Sequence, residues 1–244
     1  MVGLVAIAAA IAIAVPVTAA IVADAIRDVK IRRDTIVVTG SARQPIEANL
    51  AIWRLTVSAR ERSPAGAARS VRRKVDAVDS FLRDGGLGED EIRKPPVSVE
   101  QTSINVPTGK PKPAFRSVPA WRVSQSFTVT TKNLDDLERT AGGVDELLLK
   151  GVDVSVTRIQ YVSTELTSAR FEALRKATAD ARRRAETIAD GLDGHLGAVR
   201  KVDLGVYQIV PRNSTNVSDY GINDTSVREK DVVSVVTVTF AVKR

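Results

Sequence analysis

The stretch WRVSQSFTVTTKNLDDL, Trp121–Leu137, decides how the fold is read. Trp121, Val123, Gln125, Phe127 and Val129 alternate with Arg122, Ser124, Ser126 and Thr128, which predicts a strand with one buried face. Asn133 then offers a side-chain oxygen as an N-cap, and Asp135, Asp136 and Glu138 sit where a helix dipole favours acids. This helix is expected to run to about Lys150, with Gly151 ending it and Val152–Val162 forming the next strand.

Working outward, the longest helix covers Leu166–Asp190 and is closed by Gly191. Val199–Val210 and Val232–Val242 read as the last strands, with Asn213–Asp224 a polar loop between them. Upstream, Thr35–Ala42 is β-rich and ends in a small-residue turn, and Leu50–Arg60 alternates as a half-buried strand. Ser63-Pro64 supplies an N-cap and a first-turn proline, Val71, Val75, Val78 and Leu82 follow at helical spacing, and Gly85-Gly86 stops the helix. Ile92–Val106 is extended, with Pro95-Pro96 restricting it to an edge or a delayed start, and proline-rich Pro107–Pro119 is a loop or a hairpin tip. Strands alternating with helices, several strands being adjacent, predict an α+β fold: mostly antiparallel sheets with helices on one face.

The chain divides into residues 1–26, a linker at 27–34 and this body at 35–244. Met1–Ala23 has no charged side chain and is long enough, as a helix, to cross a hydrocarbon core of about 30 Å. An uncleaved transmembrane anchor is one reading. A cleaved signal peptide is a second, since Ala23-Asp24-Ala25 has the small-x-small form of a cleavage site, and a buried soluble helix is a third. Arg27, Lys30, Arg32 and Arg33 follow it, and by the positive-inside bias they would hold the body in the cytoplasm.

Composition excludes more than it assigns. With 36 Lys and Arg against 29 Asp and Glu the net charge is +7, and residues 27–244 hold all the basic side chains. There is no Cys, so no disulfide, thiolate metal site or cysteine nucleophile exists. One His excludes a multi-histidine metal cluster. No cofactor, metal or catalytic set is therefore assigned.

Ala169, Ala173, Ala177, Ala181, Ala185 and Ala189 recur at every fourth position of the long helix. Such small side chains either fill ordinary helical positions or let another backbone approach along a seam, against a sheet, a helix or a second subunit. Phe171, Leu174, Ile188 and Leu192 are expected to add bulkier contacts beside it, and Glu172–Lys176 and Asp180–Arg184 to pair at i,i+4.

The segment ARFEALRKATADARRRAETIADGLDGHLGAV, Ala169–Val199, resembles the diagnostic region of SIMPL-domain proteins, bacterial periplasmic immunogenic and oxidative-stress-defence proteins among them. IVVTGSA at Ile36–Ala42, the Trp121–Leu137 segment and Lys150-Gly151-Val152 extend the resemblance over nearly the whole body. Arg93-Lys94-Pro95-Pro96 departs from it, the family more often having an acidic-Ile-x-Thr-like strand entry there. The resemblance implies an α+β fold, export across the inner membrane with the body facing periplasm or exterior, a tendency to form ring-like homo-oligomers and an association with stress protection; it implies no established enzyme activity.

Two rival readings are weaker on chemical grounds. An enzyme would centre on His195 in GLDGHLG, but no G-x-S-x-G element accompanies it and the glycines read as a helix C-cap and turn. Arg182-Arg183-Arg184 and Arg72-Arg73-Lys74 suggest phosphate binding, yet residues of a helical run splay about 100° apart and no nucleic-acid motif accompanies them. Contact of the juxtamembrane cations with anionic lipid is the more natural use of that charge.

Overall fold

A computed structural model describes residues 35–108, 114–216 and 218–243. The anchor-or-signal segment 1–26 and the linker 27–34 lie outside the described residues. None of the helices that are described is long and apolar enough to cross a membrane.

The fold is α+β, built on two antiparallel sheets. In the first, β1 (Thr35–Glu47) pairs with β10 (Glu229–Lys243), which also pairs with β8 (His195–Leu204) and β9 (Gln208–Pro211). The second holds β2 (Leu50–Glu61) beside β5 (Ala114–Thr131) at its centre. β3 (Ile92–Arg93) and β4 (Ser98–Thr108) flank β5, while β6 (Val154–Val156) and β7 (Gln160–Val162) flank β2. Each sheet carries its helices on one face. The second is covered by α1 (Pro64–Asp84), with α2 (Leu134–Gly142) and α3 (Asp145–Leu149), and the first by α4 (Leu166–Asp190).

Local chemistry explains most boundaries. The Ser63 hydroxyl accepts from the Gly66 amide at 3.1 Å, Pro64 enters the first turn, and the Gly85 amide closes on the Phe81 carbonyl. The alternation of β2 and β5 buries Trp53, Leu55, Val57, Val123, Phe127 and Val129 against Val71, Val78 and Leu82 of α1. Fully burying side chains of this size contributes roughly 1.5–3 kcal/mol each.

Several boundaries differ from the expected ones: the strand expected at Ile92–Val106 is divided into β3 and β4 around Pro95-Pro96, and that expected at Val199–Val210 into β8, which begins at His195, and β9. The helix from Asn133 breaks at Gly142-Gly143 into α2 and α3, since two glycines weaken its middle. The strand expected at Val152–Val162 is two short pieces, β6 and β7, both paired with β2. β1 runs through the small-residue stretch to Glu47, because β10 offers it a continuous partner. The proline-rich segment is a hairpin whose arms take in Pro107 and Pro119, with register Ser103↔Pro119 and Pro107↔Phe115. Its tip lies outside the described residues.

Candidate functional site

The alanine stripe is where the sequence placed a seam. All six alanines are buried, five of them completely. Ala177, Ala181 and Ala185 pack on Val38 of β1 and on Val236, Val238 and Phe240 of β10, and Ala169 and Ala173 on Ile209 and Val232. The seam is thus helix on sheet within one chain. As a surface for a second subunit it is already covered, which corrects that part of the expectation. Gly40 explains the close approach: a β-carbon there would lie 2.7 Å from the Ala181 α-carbon and closer still to the Ala177 carbonyl oxygen. Of the bulkier residues expected beside the stripe, only Leu174 packs on this core. Phe171 and Leu192 are mostly exposed, and Ile188 is nearly half exposed.

The ion pairs read from the helix form: Lys176–Glu172 at 3.8 Å and Arg184–Asp180 at 2.8 Å. Asp180 does more than its spacing suggested. It is buried, accepts the Ser41 amide at 3.1 Å, and is bonded by Arg183. The Ser41 amide, with Arg183 and Arg184, holds its carboxyl below the usual carboxylate range, against the opposing effect of burial.

What the first sheet leaves open is β8. Because α4 lies over β1 and β10, β8 projects beyond the helix. Val199, Val202 and Leu204 stand opposite Phe240, Val238 and Val236, and so on the helix-bearing face, yet they are 54%, 50% and 63% exposed. Among the described residues β8 pairs with β10 alone, and its other backbone edge is unpaired. An apolar row beside free amides and carbonyls is the pattern that invites another chain. His195, the candidate imidazole of the enzyme reading, opens this strand opposite Lys243 and is exposed.

A polar cluster at the junction of the two sheets was not foreseen. Lys230 is 3% exposed, and its ammonium donates to the Tyr161 carbonyl at 2.5 Å and the Asp224 carbonyl at 2.7 Å. Burial pushes this amine below its ordinary value, and Asp224 opposes the shift. The Tyr161 hydroxyl donates to Glu138, which with Asp135 is also held by Arg228. Burial and then the neighbouring Glu138 carboxylate push the Tyr161 phenol up to about 12. The Tyr161 amide donates to the Thr225 carbonyl at 2.8 Å, so β7 is tied to the segment leading into β10. Except for the buried Arg228 Nη2, which has no hydrogen-bond partner among the described residues, these groups satisfy one another and read as a fastening between sheets. Residues so far apart in the chain gave no local signal. Among the described residues, no group of three or more His, Cys, Asp or Glu is arranged to hold a metal ion.

Comparison with known proteins adds a family. The model described as "SIMPL: Protein of unknown function (DUF541)" matches residues 36–240. No curated protein matches the chain. Among solved structures it is similar to a "putative aminohydrolase" from methicillin-resistant Staphylococcus aureus, at 14% identity and a TM-score of 0.20 over 59% of this chain and 39% of that one. It is also similar to a "putative amidohydrolase/peptidase" from Burkholderia cenocepacia, at 12% identity and a TM-score of 0.19 over 59% and 36%. The chain spans less than two fifths of either, and likenesses at these scores carry no argument.

Proposed function

Since the chain belongs to the SIMPL family, whose function is unknown, we propose that it is a non-enzymatic protein of the cell envelope. In this reading it assembles with copies of itself at a membrane, and the assembly serves protection under stress. The observation that carries the reading is β8, a ten-residue edge strand with the apolar row Val199, Val202 and Leu204 uncovered. A second copy meeting this strand gains backbone bonds and burial together. Phe171 on α4 and Leu192 after it are further exposed apolar side chains.

Residues 1–26 supply the membrane attachment, and their cleavage would release a soluble exported body. The juxtamembrane cations add attraction to anionic headgroups of about 1 kcal/mol each. Light scattering on residues 35–244 at micromolar concentration tests the assembly, and a strict monomer would sink it. Protease accessibility of the body in spheroplasts, with the mass of the mature N-terminus, tests the location: a body cleaved from outside supports the reading and a protected body contradicts it.

A further inference from the structure

The face of the second sheet turned away from α1 carries an unassigned surface of a different chemistry. From the Arg54 row to the Arg60 row, this face carries Arg54, Thr56, Ser58 and Arg60 of β2 and Arg122, Ser124, Ser126 and Thr128 of β5, with Ile52 beyond one end and Ala120 and Val118 beyond the other. The ladder arranges them in rows. Arg54 lies opposite Thr128, with Arg93 of β3 on its far side. Thr56 lies opposite Ser126, their hydroxyls 3.1 Å apart. Ser58 and Ser124 continue to Ser98 of β4, and Arg60 and Arg122 continue to Glu100. At about 3.3 Å per residue the two arginine rows stand roughly 20 Å apart, with a floor of hydroxyls between them. A groove of about 880 Å³ runs from this floor round the β2 edge, lined by Ser58, Arg60, Arg122 and Ser124 on this face and by Lys74 of α1 and Asp153 on the helix side.

Charge and the missing side-chain types identify the partner. Arg122 pairs with Glu100 at 3.6 Å, whereas the guanidinium groups of Arg54, Arg60 and Arg93 are exposed and without partners among the described residues. A guanidinium fork matches carboxylate or sulfate oxygens, and serine and threonine hydroxyls both donate to and accept from sugar hydroxyls. Trp53, Trp121 and Phe127 alternate onto the opposite face, so among the described residues this floor offers no aromatic platform for stacking bases. Between the arginine rows the floor carries no apolar side chain to enter a lipid layer. We propose that the open face of the second sheet binds an acidic polysaccharide, its carboxylates or sulfates held by the arginine rows and its hydroxyls by the floor.

The proposal does not depend on assembly through β8, which belongs to the other sheet. It is tested by fluorescence anisotropy of a labelled alginate oligomer with the full-length chain in an uncharged detergent. Alginate is expected to bind with an affinity that falls as salt rises, while a neutral dextran of equal length does not bind. Replacing Arg54, Arg60 and Arg93 by Gln weakens alginate binding about tenfold or more, and replacing Arg69, Arg72 and Arg200 removes the same charge elsewhere with at most about a twofold effect. The proposal is overturned by absence of alginate binding at low salt, by equal losses in the two triple variants, or by tighter binding to oligo-dT.

Discussion

Gly40 and Ala181 meet backbone to backbone: strand β1 and helix α4 approach so closely that a β-carbon on Gly40 would lie 2.7 Å from the Ala181 α-carbon. Both contacting groups are main chain, so neither can swing aside. Gly40→Ala is therefore expected to lower stability by about 3 kcal/mol or more, at the upper end of overpacking effects. Gly142→Ala is the control: its added carbon meets nothing within 4 Å, and alanine favours the helix, so the change is neutral or stabilising by up to about 1 kcal/mol. Urea midpoints of the two variants provide the comparison.

Asp180 fastens the same seam from the helix side. Asp180→Ala leaves the Ser41 amide without its acceptor and is expected to destabilise by about 1–3 kcal/mol. The carboxyl is held low in the folded chain, so its contribution is complete above the unfolded pKa and disappears as pH falls through the lower folded value. The stability gap between the native chain and Asp180→Asn should then narrow on acidification below about pH 4. A gap that stays constant to acid would contradict this role.

Tyr161 gives the opposite sign at the other end of the scale. Its phenol is held protonated up to about 12 in the folded chain, so the unfolded chain ionises first. The stability it contributes is present below about pH 10 and is lost as pH rises toward the folded value. Tyr161→Phe should flatten the alkaline arm of the stability profile, measured by urea unfolding across that window.

How far the sequence disclosed this molecule depends on the range of the interactions. Ser63-Pro64, Gly191 and the alternation around Phe127 were legible because caps and strand faces are written within a few residues. The tether from Asp180 to Ser41 spans 139 residues, and Asp180 alone looks like a surface ion-pair partner. The alanine stripe announced a close contact without its partner, which only the β1–β10 pairing fixes. Val199, Val202 and Leu204 look like ordinary core positions of a strand; their exposure arises because α4 stops short of covering β8. The hydroxyl and arginine alternation of β2 was visible, but only the pairing of β3 with β5 brings Arg93 into its row.

Self-assembly through β8 is tested most directly by sedimentation velocity of residues 35–244, comparing the native body with Val202→Lys/Leu204→Lys. Both positions are already half exposed or more, so the lysines enter without disturbing the core. The account predicts an oligomer for the native body and a monomer of unchanged urea midpoint for the variant. A native monomer at micromolar concentration, or an oligomer that persists in the variant, would contradict it.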